Sequence, residues 1–534
     1  MLKLLQKSYL GKVKMIYIDP PYNTGNDFIY PDNFTESLQT YLEYTGQTDS
    51  DGRKFGTNTD ADGRFHSKWL NMMYPRLYLA RNLLREDGVI LISIDDAESD
   101  ALRRICSEVF GEENFLATFV RRRRMATGMR DTPISPDHEY VLAFAKRLES
   151  TRLYGFARDE NDFPLEDAKG KYRSTDLTVG MTKDMRPNQY YPIQNPSTGA
   201  EFLPPDERVW RFEPTSMKRQ IAEGNIIWPD DAPNGRMTRP RFKTRFDSAD
   251  GKTNPVSTWI NLKSQNDNGD DSEVTSLHAG LNQEATKELR DLFGEQVLDY
   301  PKPTSLIKGL LSVTTRRDDI ALDFFAGSGT TAQAVLELNK QDGGRRKFIL
   351  VQLPEPTQRK DYSTIAEITK ERVRRAIQKL NNSDRGNLAF NEGATADRGF
   401  RAFRLAESNF TTWDAQVAHE PKALQNQLDF HVDHIRDERT PDDIFYELLL
   451  KSGFPLTTPV EKQTLAGKTV HSVAGGALVI CLERELTLEL IRAIAEGKPE
   501  RVVCLDEGFA GNDQLKANAV QTFKTKGIVK FQTV

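Results

Sequence analysis

The chain has 534 residues, which is enough for about three or four domains. Its formal net charge is −5, from 73 lysines and arginines against 78 aspartates and glutamates. This balance excludes a uniformly basic nucleic-acid coat, although a basic cleft within an acidic protein remains compatible with it. Three widely spaced cysteines, Cys106, Cys481 and Cys504, predict neither a disulfide framework nor a zinc site and indicate a reducing, cytoplasmic location.

The first 150 residues alternate between predicted strands and helices. The predicted elements are a strand at 14–18, a helix at 69–84 ended by Gly88, a strand at 89–94, a helix capped by Asp95 and Asp96, and a strand at 138–144. The polar stretch at 47–63 is predicted to be a loop. This rhythm predicts a parallel sheet with helices on both faces.

The middle of the chain differs from both flanking regions. Residues 151–293 show little periodicity, which indicates an irregular inserted domain. The α/β rhythm resumes with a strand at 320–325, a helix at 330–338, a strand at 347–353 and a helix at 362–380, and further strands are predicted at 477–482 and 501–505. The predicted boundaries are 1–150 and 296–398 for two halves of one domain, 151–295 for the insertion, and 399–534 for a C-terminal α+β domain.

A glycine-rich turn, Phe325-Ala326-Gly327-Ser328-Gly329-Thr330, lies between a predicted strand and a predicted helix. Glycines let the backbone turn tightly and let a ligand approach it closely. A helix start also presents unpaired N–H groups. The same string fits the dinucleotide fingerprint G-x-G-x-x-A. Taken alone, the turn is compatible with a nucleotide or cofactor site and with an ordinary turn.

A second motif, Asp19-Pro20-Pro21-Tyr22, ends the first predicted strand. Prolines fix the backbone and remove N–H donors, so that nearby carbonyls remain available as acceptors. Asp19 adds a carboxylate acceptor and Tyr22 adds a flat aromatic face. Together they predict a site for a planar group bearing an NH2, whose hydrogens are accepted while its ring stacks on Tyr22. The motif alone also fits a strand-end turn with a surface tyrosine.

Together, the two motifs resemble the signature of amino-group DNA methyltransferases. The catalytic motif comes first and the cofactor motif much later, an order that resembles the β class of adenine-N6 enzymes. Segments that resemble the modification subunit of type III restriction–modification systems lie at 19–30, 69–84, 93–98, 138–142, 300–307, 445–451 and 506–513. The resemblance implies a doubly wound, mostly parallel α/β sheet of the Rossmann-like methyltransferase type, circularly permuted, with an inserted irregular domain and a C-terminal α+β domain.

The resemblance also implies the cofactor and the partners. S-adenosylmethionine is the expected methyl donor, and no metal is expected. The expected partners are double-stranded DNA, a second copy of the chain in a homodimer, and a separate ATP-dependent restriction subunit. Residues 151–295 correspond to the family's target-recognition domain, and 399–534 is the candidate region for subunit contacts. This chain carries no Walker-type motif, so we do not expect it to hydrolyse ATP.

The implied mechanism is direct methyl transfer to an adenine that has left the duplex. Asp19 and the Pro20 carbonyl are expected to accept the two N6 hydrogens, and Tyr22 is expected to stack on the base. The expected catalytic residues are therefore Asp19, Pro20, Pro21 and Tyr22. The expected cofactor-binding residues are Lys302, Pro303, Thr304, Ser305, Asp323, Phe325, Ala326, Gly327, Ser328, Gly329 and Gln352.

Two basic stretches are predicted to contact DNA phosphates. The first is Arg121, Arg122, Arg123 and Arg124, which also fits a solvated charge run. The second lies in the inserted region, is interleaved with phenylalanines, and consists of Arg236, Arg239, Arg241, Lys243 and Arg245.

Two other functions fit parts of the sequence. An NAD-dependent oxidoreductase would use the glycine fingerprint, but it needs an acid at the end of the next strand. Gln352 occupies that position, and this interpretation leaves the Asp19 motif unexplained. The other alternative is a DNA-binding specificity subunit without methyl transfer, because the family's Gly-Asp pair upstream of the catalytic strand is absent from the residues before Asp19.

Overall fold

The computed structural model describes residues 1–24, 65–125, 134–157, 160, 163–229, 237–246, 253–262, 276–385, 397–410, 435–436, 438–509, 511–528 and 530–534. The predicted loop at 47–63 lies outside these residues. The chain divides into two compact units. Unit 1 comprises Met1–Arg152, Thr258–Gln265 and Leu277–Val534, and unit 2 comprises Leu153–Ser257 and Asn266–Ser276.

Unit 1 begins with alternating helices and strands, as the sequence predicts. They are α1 (Leu2–Tyr9), β1 (Val13–Ile18), α2 (Phe65–Leu83), β2 (Leu84–Ile94), α3 (Ser99–Phe110), β3 (Phe115–Arg122) and β4 (His138–Ala145). Helix α2 ends at Leu83 and the chain enters β2 directly. The prediction that Gly88 ends this helix is therefore wrong, because Gly88 lies within the strand.

The described part of unit 2 forms short strands and one α-helix. They are β5 (Phe156–Ala157), β6 (Leu165–Asp167), β7 (Gly170–Asp176), β8 (Thr178–Val179), β9 (Ile193–Gln194), β10 (Glu201–Phe202), β11 (Val209–Trp210), α4 (Pro214–Ala222), β12 (Ile226–Ile227), β13 (Arg241–Arg245) and β14 (Thr253–Asn254). The sheet with the order β12-β13-β7-β6 is its largest described sheet. Its apolar core includes Leu177, Trp210 and Trp228.

The remainder of unit 1 supplies the other half of the main sheet and a second sheet. The elements up to residue 385 are β15 (Trp259–Leu262), β16 (His278–Ala279), α5 (Asn282–Phe293), α6 (Thr304–Thr314), β17 (Ile320–Asp323), α7 (Thr330–Asp342), β18 (Lys347–Leu350) and α8 (Ile365–Arg385). The later elements are α9 (Pro441–Lys451), β19 (Val460–Leu465), β20 (Lys468–Val473), β21 (Leu478–Cys481), α10 (Leu488–Glu496), β22 (Arg501–Cys504), α11 (Asp513–Thr525) and β23 (Lys530–Thr533).

The main sheet has the order β16-β15-β3-β4-β2-β1-β17-β18 among the described strands. Strand β1 runs parallel to both β2 and β17, and β17 runs parallel to β18. Strand β4 is antiparallel to β2 and β3, so the first half of the sheet is mixed rather than purely parallel as its rhythm suggests. The predicted fold class, a mostly parallel α/β sheet with additional sheets, is confirmed.

Every residue of β1 is buried because helices cover both faces of the sheet. Ile16 and Ile18 pack into a core with residues of α1, α2 and α3. Met15 points to the other face, where the Thr314 hydroxyl of α6 lies 3.1 Å from its sulfur. The second sheet, β19-β20-β21-β22-β23, has a core of its own on each face. Within the described part of the chain, no helix is long and apolar enough to span a membrane.

Candidate active site

The Asp19 motif and the glycine-rich turn follow adjacent parallel strands. Strand β1 pairs with β17 in the register Met15↔Ala321 and Ile16↔Leu322. The chain leaves β1 toward Asp19 and leaves β17 toward Phe325, so both motifs lie at the same edge of the sheet. In parallel α/β sheets, the carboxyl ends of the strands are where ligands bind.

The glycine-rich turn has a backbone that only glycine adopts easily. Gly327 and Gly329 have φ angles of 51° and 86°, in the left-handed region that disfavours other residues. The Gln352 side chain accepts a hydrogen bond from the Gly327 N–H at 2.7 Å, and the Thr369 hydroxyl donates to the Gly327 carbonyl. A Cβ atom on Gly329 would lie 3.1 Å from Thr369 Cγ2. The turn is thus held in one shape, and Gln352 helps to hold it.

Asp323 supports the turn from beneath. Its carboxylate accepts hydrogen bonds from the Phe325 N–H at 3.1 Å and from the Thr331 hydroxyl at 2.6 Å. Burial raises the pKa of Asp323 to about 7, although both donors oppose the shift. The carboxylate therefore joins the start of the turn to the first residues of α7, where the sequence predicted a contact with the cofactor.

Lys302 connects the turn to the catalytic motif. Its ammonium donates to Asp19 Oδ2 at 2.8 Å and lies 4.9 Å from the centre of the Tyr22 ring. Its backbone carbonyl accepts from the Thr330 hydroxyl at 3.3 Å. The sequence predicted Lys302 beside the cofactor, and its ammonium contacts the Asp19 carboxylate.

Arg121 and Glu139 form a buried ion pair that extends this arrangement. Arg121 Nε donates to Glu139 Oε1 at 2.6 Å, and Glu139 Oε2 lies 4.0 Å from the Lys302 ammonium. Burial by itself favours a higher pKa for Glu139, but attraction by Lys302 and Arg121 outweighs it and lowers the pKa. Arg121, Glu139, Lys302 and Asp19 thus form a row of alternating charges.

The burial of Arg121 corrects one prediction from the sequence. Arg121 was predicted to contact DNA phosphates, but it is 1% exposed, and its Nη1 donates to the Gly280 carbonyl at 2.9 Å. Its other terminal nitrogen donates to Asn282. All of these contacts lie inside unit 1, so the Arg121 guanidinium is enclosed by protein and has a structural role.

Asp19 presents its carboxylate at the edge of the sheet. Its side chain is 26% exposed, and burial raises its pKa against the opposing attraction of Lys302, with Glu139 adding to the rise. Asp19 Oδ1 lies 2.8 Å from the Lys302 ammonium, and the Tyr22 hydroxyl is buried without a hydrogen-bond partner among the described residues. The Pro21 carbonyl accepts from Trp69 Nε1 at 2.7 Å, whereas no donor from the described chain reaches the Pro20 carbonyl. Buried polar atoms without partners are costly, and they indicate a ligand-binding site.

The segment after Lys302 packs between the site and the rest of unit 1. Pro303 precedes α6, and Thr304 is its first residue and is 2% exposed. The Ser305 hydroxyl accepts from the Gly280 N–H at 2.9 Å. Ser305 therefore holds the chain after β16, while Thr304 faces the buried groups around the turn.

The other predicted DNA-binding residues are partly exposed and paired with acids. Arg122 and Arg124 lie 3.7 Å and 3.5 Å from carboxylate oxygens of Asp137, and Arg123 lies 3.7 Å from Asp95. In unit 2, Arg239 is exposed, and the ion pairs of β13 join Arg241 to Asp176 and both Lys243 and Arg245 to Asp167. Arg236 lies outside the described residues.

The sequence did not single out three residues of this site. Sequence patterns placed Trp69 in a helix, Glu139 in a strand and Arg372 in a charged helix, and assigned none of them a role. Arg372 is 0% exposed and donates to the hydroxyls of Ser328 and Thr330 in the turn. Within the described residues, no group of three His, Cys, Asp or Glu side chains is arranged to hold a metal ion.

Comparison with known proteins identifies the family. A family model described as DNA methylase, for N6- and N4-methyltransferases, matches residues 13–379. The chain belongs to this DNA methylase family. Membership confirms the resemblance to amino-group DNA methyltransferases that the two motifs indicated.

Curated relatives of this DNA methylase include modification subunits of type III restriction–modification enzymes. The chain is 34% identical over 431 residues to the StyLTI Mod subunit of Salmonella typhimurium, an alignment that covers 77% of this chain and 60% of that subunit. It is 29% identical to the EcoPI Mod subunit of Escherichia phage P1, with 100% of this chain and 83% of that subunit covered. The type II methyltransferase M.KpnI of Klebsiella pneumoniae is 32% identical over 66% of this chain and 78% of its own length.

The comparison with solved structures matches the cytosine-N4-specific PvuII DNA methyltransferase. It is 12% identical, with 70% of this chain and 90% of that chain covered and a TM-score of 0.30. The complex of M1.HpyAVI with SAM is 13% identical, covers 69% of this chain and 93% of that chain, and has a TM-score of 0.27.

Proposed function

We propose that the chain is the modification subunit of a type III restriction–modification system and methylates the N6 amine of adenine in double-stranded DNA. Its family membership and its similarity to the StyLTI and EcoPI Mod subunits support this function. We further propose that it acts in the cytoplasm, as a homodimer, together with a separate ATP-dependent restriction subunit.

The observation that carries the proposal is a pair of acceptors, the Asp19 carboxylate and the Pro20 carbonyl, at the edge of the sheet that also carries the glycine-rich turn. The Lys302 ammonium lies 2.8 Å from both oxygens of Asp19, each of which can accept a further hydrogen, and the Pro20 carbonyl is not used by the described part of the chain. An exocyclic amine has two hydrogens, and the two acceptors can take one each. The Tyr22 ring provides a face on which a purine can stack.

These residues address the weak nucleophilicity of adenine N6, whose lone pair is delocalised into the ring. Acceptance of both hydrogens by Asp19 and Pro20 favours a pyramidal nitrogen with a directed lone pair. When bound, S-adenosylmethionine would supply an electrophilic methyl group for N6, with the sulfonium sulfur as the leaving group. Asp19 then accepts the proton that N6 loses, a role that its raised pKa suits.

The glycine-rich turn suits the amino-acid end of S-adenosylmethionine. The left-handed Gly327 and Gly329 wrap the backbone between β17 and α7 without side chains, and α7 begins with unpaired N–H groups. The residues that would hold the cofactor are Phe325, Ala326, Gly327, Ser328, Gly329, Pro303 and Thr304. Gln352, Asp323 and Ser305 would act through the hydrogen bonds that hold these segments.

Unit 2 is the proposed DNA-reading part of the chain, and 399–534 is the proposed region for subunit contacts. Arg241, Lys243 and Arg245 alternate along β13 and therefore share one face of the strand.

If this face contacts phosphates, the double variant Arg241→Gln with Lys243→Gln will weaken the dependence of DNA affinity on salt concentration. The control is Lys218→Gln, at an exposed position on α4. An unchanged salt dependence would refute this assignment.

The function is tested by incubating the full chain with tritiated S-adenosylmethionine and duplex DNA, followed by digestion and identification of the labelled nucleoside. We expect N6-methyladenine. N4-methylcytosine would refute the substrate assignment. Tight DNA and cofactor binding without transfer would support the alternative of a specificity subunit that does not methylate.

A further inference from the structure

Arg372 differs from every other buried cation in the described residues. Five lysines and arginines are less than a tenth exposed, and they are Lys14, Arg121, Lys302, Arg346 and Arg372. The first four each lie within 4.0 Å of a carboxylate. Arg372, which is 0% exposed, has no carboxylate at that distance in the described part of the chain. Its charge is therefore buried without a contacting counter-charge.

The guanidinium of Arg372 is instead surrounded by neutral acceptors. It donates to Ser328 Oγ at 2.6 Å, Thr330 Oγ1 at 2.8 Å, Gln333 Oε1 at 2.9 Å and Thr304 Oγ1 at 3.2 Å. Two of these residues belong to the glycine-rich turn or its end, one to the first turn of α7, and one to the start of α6. The side chain from α8 thus fastens both segments that are proposed to hold the cofactor.

Burial of a cation without a counter-ion destabilises its charged form. Burial accordingly lowers the pKa of Arg372 to about 10, and the more distant Glu288 and Glu337 oppose this shift only in part. The guanidinium nevertheless remains protonated near neutral pH. An anionic group close to the turn would supply the attraction that the protein itself does not provide.

Two hydroxyls that bind the guanidinium can also donate hydrogen bonds to a ligand. Ser328 and Thr304 accept from the guanidinium, and each still has its own hydrogen to donate. The Thr330 hydroxyl already donates to the Lys302 carbonyl at 3.3 Å. Ser328 Oγ also lies 3.5 Å from Thr330 Oγ1, and no hydrogen bond donated by the Thr304 hydroxyl occurs among the described residues. A carboxylate beside the turn can therefore receive hydrogen bonds that the buried cation strengthens.

We propose that Arg372 is a positioning residue that makes the turn selective for the α-carboxylate of S-adenosylmethionine, through the hydroxyls of Ser328 and Thr304. This inference rests on the proposed use of that cofactor. Arg372 holds the two hydroxyls in place and supplies the positive charge, while the hydroxyls make the contact. A ligand that lacks the carboxylate should gain nothing from this arrangement.

The test is calorimetric binding to the full chain, without DNA, of S-adenosylmethionine and of its decarboxylated form, which keeps the sulfonium, the amine and the nucleoside. We expect the wild type to prefer the carboxylate-bearing ligand by about tenfold or more. Arg372→Met should abolish this preference by weakening S-adenosylmethionine alone. Arg372→Lys, which keeps the charge, should retain part of the preference.

The matched control is Arg346→Met, which removes another buried arginine, one paired with Asp342; it should keep the full preference. If Arg372→Met does not fold, the double variant Ser328→Ala with Thr304→Val makes the same test, because it removes both hydroxyls and keeps the guanidinium. Equal binding of both ligands by the wild type, or equal weakening of both by Arg372→Met, would overturn the proposed role of Arg372. The proposed function would stand. Failure of the wild type to bind either ligand would overturn the proposed function as well.

Discussion

The two ends of the candidate site treat buried charge in opposite ways. At the catalytic end, Arg121, Glu139, Lys302 and Asp19 alternate in sign, and each is within 4.0 Å of the next. At the end proposed for the cofactor, the described side chains that bind Arg372 are all neutral. Charges that compensate one another hold their geometry without a ligand, whereas a charge without a partner favours binding of a ligand that supplies one. We infer that the charges around Asp19 fix the positions of their side chains, whereas the charge of Arg372 favours binding of an anionic ligand.

Asp19→Asn should have the largest effect on activity. The amide keeps the shape but loses the negative charge that accepts an N6 hydrogen, so we expect methyl transfer to fall by about 1,000-fold. Affinity for S-adenosylmethionine should change little, because Asp19 belongs to the catalytic end. The measurements are tritiated methyl transfer and calorimetric cofactor binding. The control is Asp318→Asn, because the Asp318 side chain is 68% exposed. Normal turnover in Asp19→Asn would remove Asp19 from the mechanism.

The two buried arginines should differ in their effect on stability. Arg121→Met leaves the Glu139 carboxylate buried without its closest partner, which should lower the free energy of unfolding by about 3–5 kcal/mol. Arg372→Met removes a charge that has no contacting counter-ion, so the ligand-free protein should lose less. Urea unfolding of both variants tests this order, and Arg121→Met with Glu139→Met should recover part of the loss. A larger loss for Arg372→Met would mean that its role is structural.

Lys302→Met should change how activity depends on pH. Burial raises the pKa of Asp19 and Lys302 opposes the rise, so removal of the ammonium should raise this pKa further. Asp19 acts in its ionised form, and the acidic limb of the kcat/KM profile should therefore move to higher pH. Lys302→Arg should restore the profile, and Lys308→Met, in the helix that follows Lys302, should leave it unchanged. An acidic limb that does not move would show that another group controls it.

Asp323→Asn should have the smallest effect, a change in how the free energy of unfolding depends on pH. The pKa of Asp323 is raised from 3.8 to about 7 in the folded chain. Between these values the folded state keeps a proton that the unfolded chain has lost, so rising pH destabilises the fold. Asp323→Asn removes this dependence, and its amide can still accept from the Phe325 N–H and donate to Thr331. The unfolding free energy of this variant relative to wild type should increase from pH 4 to pH 7; a constant difference would contradict the raised pKa.

The positions of the two motifs could be predicted from the sequence because each follows a short apolar strand. Adjacent parallel strands bring their carboxyl ends to one edge, so Asp19 and Phe325 lie at the same edge of the sheet although they are far apart in the chain. Local patterns also indicated the irregular region that became unit 2. The antiparallel direction of β4 could not be predicted, since alternation of apolar residues does not depend on strand direction.

The burial of Arg121 and Arg372 could not be predicted from the local sequence pattern that was used. Arg121 belongs to a run of four arginines that looks solvated, yet strand alternation places it on the same side as the buried Phe119. That alternation was the available signal. Arg372 lies in a charged helix, and its burial depends on the turn and on α6 packing against it, which no local pattern reports. Long-range packing therefore decides which charges serve the site.

The central claim, that Asp19 and the glycine-rich turn serve one crevice, is tested most directly with a bisubstrate ligand. Such a ligand joins the N6 atom of adenosine to the sulfur position of the cofactor by a short linker, so that it occupies both ends at once. We expect it to bind the wild type about 100-fold more tightly than S-adenosylmethionine, and Asp19→Asn to lose most of this gain. Equal affinity for the two ligands, or a gain that Asp19→Asn leaves intact, would contradict the account.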